Sequence, residues 1–106
     1  MTKVSSYAEE TMTENRTDAI AALLSRTGAA HGVYEEEALN GVYDQNWARW
    51  YAEYAAAQGI GDLVGRAISV EELTAFLVRA NEAHKQSGTD EAWATYYARA
   101  LAEAQP

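Results

Sequence analysis

Cysteine is absent from this chain of 106 residues, and proline occurs once, at the last position. The chain therefore forms no disulfide, offers no thiolate to a metal and has no cysteine nucleophile. Long apolar runs are missing too: no window approaches the roughly 18 apolar residues that a membrane span requires, and the first 15 residues lack a secretory signal pattern. These absences predict a cytoplasmic protein with no membrane partner.

Positive charge is also scarce, with 8 basic residues against 16 acidic ones and a net charge of -8. Such a chain repels phosphate backbones and anionic lipids, so we expect no nucleic-acid partner. The acidic run from Glu35 to Glu37 is most simply a solvated helix face. Its functional alternative is a patch for a basic protein.

The apolar composition indicates helices rather than sheets. Alanine occurs 22 times, whereas valine, isoleucine and phenylalanine are scarce, a balance that favours closely packed helices. The length suits one domain with one core. We predict an all-α fold, a small four-helix bundle built from two tandem, related helical hairpins over residues 17–106. The polar segment 1–16 is predicted to be a flexible N-terminal arm.

The first predicted helix runs from about Thr17 to Asn40. Its apolar stripe repeats at spacings of four and three residues and consists of Ile20, Leu24, Thr27, His31, Tyr34 and Ala38. Because Gly28 and Gly32 each cost about 1 kcal/mol relative to alanine inside a helix, a kink or break near them is consistent with this pattern. The second predicted helix begins at Gln45, after the capping residue Asp44, and ends at Gly59.

The second half of the chain has the best specified helix start. Ser69 and Glu72 have the spacing of a capping box, and Ile68 can pack on Leu73 as a hydrophobic staple. This third helix is predicted to reach about Gln86. The remaining landmarks are a turn at Ser87 and Gly88, a cap at Thr89 or Asp90, and a last helix that ends near Ala104.

The two halves of the sequence resemble each other. Residues 44–57 match residues 90–103 at six of fourteen positions, among them Trp47 with Trp93 and Tyr51 with Tyr97. The first and third helices match at an offset of 53, which aligns His31 with His84. We interpret this as a duplicated helical hairpin whose aromatic faces meet near the centre, each beside one histidine. The alternative is coincidence between alanine-rich amphipathic helices.

The candidate binding residues are the aromatic, histidine and arginine side chains that recur in both halves: His31, His84, Trp47, Trp50, Tyr51, Trp93, Tyr97, Arg26 and Arg79. The rings could line a pocket for a flat or cationic ligand. The alternative is that they fill the core, which alanine-rich helices would require of large side chains. For the arginines, contacts to rings or ion pairs with glutamate compete with anion recognition.

Catalytic and metal-binding patterns are weak. His31 and Glu35 have the i, i+4 spacing of two ligands on one helix face, but His84 has no acidic residue four positions later. We therefore predict no metal, no cofactor and no catalytic residue, and expect the histidines mainly to hydrogen-bond a tyrosine or a carbonyl. Phosphate-binding loops and nucleophile elbows are absent from the sequence as well.

Three hypotheses about function follow. The first is a non-enzymatic interaction or accessory module that binds a protein partner or itself, as a homodimer; it predicts an exposed aromatic patch. The second is a protein that binds a small apolar or aromatic ligand, or a small enzyme, with an aromatic pocket beside His31 or His84. It requires that a histidine border a cavity. The third is an acidic mimic of nucleic acid, which requires carboxylates along one face.

Overall fold

In the computed structural model the backbone is described for residues 2–103 and the side chains for residues 16–103. The backbone forms helices and no strand over that range, which confirms the all-α prediction. The helices are α1 (Thr2–Ala38), α2 (Trp47–Ala57), α3 (Ile60–Val64), α4 (Val70–Ser87) and α5 (Trp93–Glu103). The predicted end of the last helix near Ala104 lies outside the described residues.

Helix α1 begins at Thr2 rather than at the predicted Thr17, and it continues through Gly28 and Gly32 without a break. The apolar stripe predicts where the helix is buried, but the helix itself extends beyond the residues of that stripe. No glycine or proline precedes Gly28, so nothing local stops the helix in its polar half. The flexibility expected of residues 1–16 stays a prediction.

The end of α1 is set by two residues in the left-handed region, Asn40 at φ 54° and Gly41 at φ 79°. The amide of Gly41 donates a hydrogen bond to the carbonyl of Glu35 over 2.8 Å, as in a Schellman cap. The chain then turns back through an exposed connection toward α2. This connection places Asp44 beside the side chains of α1.

The glycine-rich segment after α2 folds into a compact turn. Gly59 takes a left-handed conformation with φ 89° at the end of α2, and the five-residue helix α3 follows it. Ile60 and Val64 of α3 are buried, and Leu63 packs partly buried against the same core. The turn thereby closes one end of the molecule with apolar side chains.

The start of α4 confirms the predicted cap and corrects one part of it. The Ser69 hydroxyl accepts a hydrogen bond from the Glu72 amide over 3.0 Å. The Glu72 carboxylate pairs with the Arg66 guanidinium over 2.9 Å, and no hydrogen bond from the Ser69 amide to it is found among the described residues. Ile68 and Leu73 belong to the same apolar cluster.

The core lies where the helices pack against one another. Helix α1 packs on α2, α3 and α5, and α4 packs on α2 and α5; the α1–α5 and α2–α4 interfaces are the most extensive. Small side chains of α2 face this core, and larger aliphatic ones come from α1 and α4. The largest fully buried side chains include Ile20, Leu23, Leu24, Leu73, Leu77 and Leu101. Burial of each stabilises the fold by about 1.5–3 kcal/mol.

Opposite α3, the aromatic side chains gather at the end where α1 and α4 finish and α2 and α5 begin. This end holds the candidate site. Within residues 2–103, no helix combines the length and the apolar composition that crossing a bilayer would need.

Candidate functional site

A cleft of about 450 Å³ opens between the helices at this end of the molecule. Helices α1, α2, α4 and α5 and the connection after α1 all contribute side chains to its wall. The residues that line it are His31, Glu35, Tyr43, Trp47, Tyr51, Asn81, His84, Lys85, Trp93 and Tyr97. Residues far apart in the sequence therefore meet around one space.

Four aromatic rings form a continuous set of edge contacts along this wall. The ring centroids of Trp47 and Tyr51 lie 5.5 Å apart, and those of Trp93 and Tyr97 lie 5.3 Å apart. Tyr51 and Trp93, at 6.1 Å, join the two pairs across the helices. Edge-to-face contacts at such distances each contribute about 0.5–1.5 kcal/mol beyond the burial of area. The rings are thus held in fixed orientations.

His31 is buried at the floor of the cleft and bound to Asp44. Its Nε2 lies 2.9 Å from the Asp44 Oδ2, and the two residues are 6% and 8% exposed. The other Asp44 oxygen accepts the Asn46 amide over 2.9 Å, while the Asp44 amide donates to the Glu35 carboxylate over 3.1 Å. Asp44 therefore ties the connection to α1.

This role corrects the prediction that Asp44 caps a helix beginning at Gln45. Helix α2 begins two residues later, at Trp47, and its N-terminal flanking residue Asn46 makes no side-chain cap. The carboxylate of Asp44 accepts the backbone amide two residues on and the imidazole of His31. These two hydrogen bonds satisfy the buried Asp44 carboxylate, so Asp44 needs no further bond to the amides of α2.

His84 occupies the wall opposite His31 and bonds to backbone. Its Nε2 lies 2.8 Å from the Glu91 carbonyl oxygen. Because a carbonyl can only accept, Nε2 carries the proton, and in the neutral imidazole Nδ1 is the remaining acceptor. In His31, a carboxylate at Nε2 selects the same tautomer. Both imidazoles are therefore oriented by partners outside the cleft.

Tyr97 and Asn81 form the second polar contact of the wall. The Tyr97 hydroxyl donates to the Asn81 Oδ1 over 3.1 Å, which leaves the two amide hydrogens of Asn81 without a bond to the described residues. Burial, with a smaller effect from the neighbouring Tyr51, raises the pKa of Tyr97 to about 12. Burial and then the charge of Glu35 raise the pKa of Tyr51. Both phenols remain neutral donors at neutral pH.

Six of the nine candidate binding residues line the cleft: His31, His84, Trp47, Tyr51, Trp93 and Tyr97. Trp50 lies behind it, stacked between Tyr34 at 5.3 Å and Tyr54 at 5.4 Å. Arg26 and Arg79 are exposed and, in the described part of the chain, have neither an ion pair nor a ring contact. The arginines therefore stand apart from the site.

Sequence reasoning missed Tyr43, Asn81 and Lys85, and it considered Glu35 as a possible metal ligand and as part of the acidic run from Glu35 to Glu37, not as a cleft residue. A signal existed for Asn81, because it precedes His84 by three residues on a helix and so shares its face. Tyr43 lies in the connection between α1 and α2, where the spacing of residues does not predict which way a side chain points. Lys85 resembles any exposed charged residue in the sequence.

The cleft provides aromatic rings and hydrogen-bonding groups. Its lining contains no serine, threonine or cysteine. Among residues 16–103, no three histidine, aspartate or glutamate side chains are arranged to hold a metal ion. His31 Nδ1 lies 3.9 Å from the Glu35 Oε1, and together with Asp44 these groups satisfy one another. The arrangement suits binding of a small organic molecule.

Comparison with protein-family models, with curated proteins and with solved structures gives no match to this chain.

Proposed function

We propose that this chain binds a small organic ligand with a flat apolar group in the cleft between its two helical hairpins. The observation that carries the proposal is that candidate residues from both hairpins meet in one cleft. The two histidines and four of the candidate rings, drawn from both halves of the sequence, line one cleft. Ligand sites are concave and combine aromatic side chains with polar groups that fix the orientation of the ligand, and this wall combines five Trp or Tyr rings with five histidine, glutamate, asparagine or lysine side chains.

The geometry of the two hairpins supports a duplicated origin for this site. His31 lies 5.0 Å from Trp50 with an interplanar angle of 61°, and His84 lies 4.9 Å from Tyr96 with an angle of 62°. Each of these aromatic residues is the counterpart of the other in the sequence match. The matching contacts favour two copies of one hairpin over coincidence between alanine-rich helices.

The packing of the helices supports the proposed four-helix bundle. Helix α1 packs on α2 and α5, and α4 packs on the same two helices. The four longer helices therefore follow each other around a ring, with α1 and α4 on opposite sides. In a bundle, ligand sites are built from side chains on facing helices, and the proposed site has this position.

Partial exposure of the rings favours a binding role over simple core filling. Trp47, Tyr51 and Trp93 are only partly buried, although the aliphatic core beneath them is closed. Rings that served packing alone would leave less space between them. The cleft of about 450 Å³ is in the size range of small-molecule sites.

A thermal-shift screen of aromatic compounds tests the proposal, with two variants of the same type. Trp47→Leu alters the cleft and should remove the melting shift of any hit, whereas Phe76→Leu removes an aromatic ring that does not line the cleft and should retain the shift. Replacement of both His31 and His84 by Gln should also reduce the shift. The proposal is overturned if the double histidine variant keeps every shift unchanged, or if no compound raises the melting temperature.

Self-association is a second proposed function, supported by the mouth of the cleft. Val42 and Tyr43 are adjacent and are 64% and 68% exposed. An exposed tyrosine is typical of interface anchors, and a homodimer through this connection would cover Tyr43 together with Val42. Native mass measured over a range of concentrations tests it: the wild type should dimerise and Tyr43→Ser should not. A monomer at every concentration contradicts it.

A further inference from the structure

Three polar residues of the cleft have no polar counterpart in the other hairpin. The offset of 53 that aligns His31 with His84 aligns Asn81 with Gly28 and Lys85 with Gly32. Glu35 has no counterpart either, because the offset of 53 before it and the offset of 46 after it differ by seven residues, and these seven lie between His31 and Asp44. The aromatic rings and the histidines thus occur in both halves. Glu35, Asn81 and Lys85, which could bind the charged groups of a ligand, occur in one half only.

These three residues divide the cleft into an acceptor wall and a donor wall. Glu35 lies on α1, while Asn81 and Lys85 lie one helical turn apart on α4, on the opposite side of the ring of helices. No ion pair joins Glu35 to Lys85, and Lys85 has no ion pair with any residue that the structure describes. The Lys85 ammonium is therefore available to a ligand, and the Glu35 carboxylate, which lies 3.9 Å from the His31 Nδ1 and accepts the Asp44 amide, retains acceptor capacity for a second donor.

The donor wall has two kinds of hydrogen-bond donor. The Asn81 oxygen is used by the Tyr97 hydroxyl, so Asn81 offers the cleft its amide hydrogens. Lys85 is exposed and adds an ammonium group. On the acceptor wall, one Glu35 oxygen receives the Asp44 amide, which fixes the carboxylate, and the carboxylate retains further acceptor capacity.

We propose that the ligand is a small zwitterion of the amino-acid type with an aromatic side group. Its carboxylate binds Asn81 and Lys85, its ammonium binds Glu35, and its ring lies against Tyr51 and Trp93. This inference rests on the proposed ligand-binding function. A simple cation would leave Lys85 unpaired and repelled, and a simple anion would meet Glu35 and the net charge of -8.

Four probes that share one phenyl group test this assignment on the full chain: L-phenylalanine, phenethylamine, 3-phenylpropionate and 2-phenylethanol. Binding is followed by tryptophan fluorescence and by calorimetry. Phenylalanine should bind more tightly than the amine or the acid by about tenfold, because each charged hydrogen bond contributes roughly that factor. Phenylethanol should bind most weakly.

Two charge-removing variants test which residue binds the ammonium of the ligand and which binds its carboxylate. Glu35→Gln should weaken phenylalanine and phenethylamine by about tenfold and leave phenylpropionate unchanged or tighter. Lys85→Met should weaken phenylalanine and phenylpropionate and leave the amine unchanged or tighter. Glu36→Gln and Arg79→Met remove the same charges outside the cleft and should alter no affinity. Circular dichroism confirms that each variant is folded.

The outcomes separate this inference from the function on which it rests. If phenylethanol binds as tightly as phenylalanine and the charge variants alter nothing, the cleft binds ligands but the zwitterion assignment is wrong. If one of the singly charged probes binds as tightly as phenylalanine, the assignment is wrong as well. If none of the four probes binds, the zwitterion assignment is wrong, and the proposed function is overturned only if the thermal-shift screen also gives no hit.

Discussion

The indole of Trp93 packs against the backbone of α1 at Gly28. A Cβ atom added to Gly28 would lie 3.0 Å from the Trp93 Cζ2 and 3.4 Å from the Tyr51 hydroxyl. This contact explains why a residue unfavourable in helices stands in the middle of α1. The missing side chain lets the second hairpin approach the first at the wall of the cleft.

Replacing Gly28 with alanine should therefore be worse than replacing Gly32, where a Cβ meets nothing within 4 Å. Gly32→Ala should raise the free energy of unfolding by about 1 kcal/mol through helix propensity alone. Gly28→Ala gains the same amount but displaces the Trp93 ring at a cost of about 1–3 kcal/mol. Urea unfolding measures the difference between the variants; equal stabilisation would contradict this packing.

The buried pair of His31 and Asp44 should show energetic coupling. Removing the imidazole in His31→Leu leaves a buried carboxylate without one partner and should destabilise the fold by about 2–3 kcal/mol. A double-mutant cycle with Asp44→Ala should give a coupling energy of about 1–3 kcal/mol.

His84→Leu is the matched control for this cycle. His84 is less buried than His31 and bonds to a backbone carbonyl, which water can reach, so the loss should be about 1 kcal/mol. Additive effects of the His31 and Asp44 substitutions would show that the hydrogen bond contributes nothing beyond packing.

The cap of α4 should contribute measurably to stability. Ser69→Ala removes the acceptor of the Glu72 amide and should lower the free energy of unfolding by about 1 kcal/mol. Ser25→Ala is the control, because Ser25 is exposed in the middle of α1 and alanine favours helix there. The control should be neutral or slightly stabilising. An equal loss in both variants would exclude the cap as the cause.

Alkaline pH should unfold the protein partly through Tyr97. Burial raises the pKa of Tyr97 to about 12 in the folded state, against about 10 for an unfolded tyrosine. Between these values the unfolded chain loses the proton that the folded chain keeps. The stabilisation is therefore complete below about pH 10 and is lost as the pH rises through about 12.

Urea unfolding at a series of alkaline pH values measures this loss. Tyr97→Phe should make the decline shallower, although it removes the hydrogen bond to Asn81 and lowers stability at every pH. Tyr43→Phe should leave the decline unchanged, since Tyr43 is 68% exposed. An identical decline in wild type and Tyr97→Phe would mean that Tyr97 titrates alike in both states.

Some residues of the cleft could not be predicted from the sequence. Periodicity places Asn81 on the face of His84, but it cannot show that the Asn81 oxygen is taken by Tyr97 and its amide hydrogens left unbonded. The sequence favours the interaction hypothesis through its abundant aromatic residues, its missing catalytic constellation and its one-sided charge, and that hypothesis predicts an exposed aromatic patch. Among the described aromatic side chains, only Tyr43 is largely exposed. Most of the others lie in or around the cleft, whereas Phe76 packs against the core.

The sequence by itself determined the helical class, the cap at Ser69, the left-handed turn at Gly59 and the buried leucine stripes. These features depend on residues within one or two turns of each other, whose propensities and spacings are visible along the chain. Tertiary structure decided that Gly28 receives Trp93, that Asp44 bonds His31 instead of capping α2, and that Glu35 and Lys85 face one cleft. Those relationships join residues 13 to 65 positions apart, and only the packing of helices sets such distances.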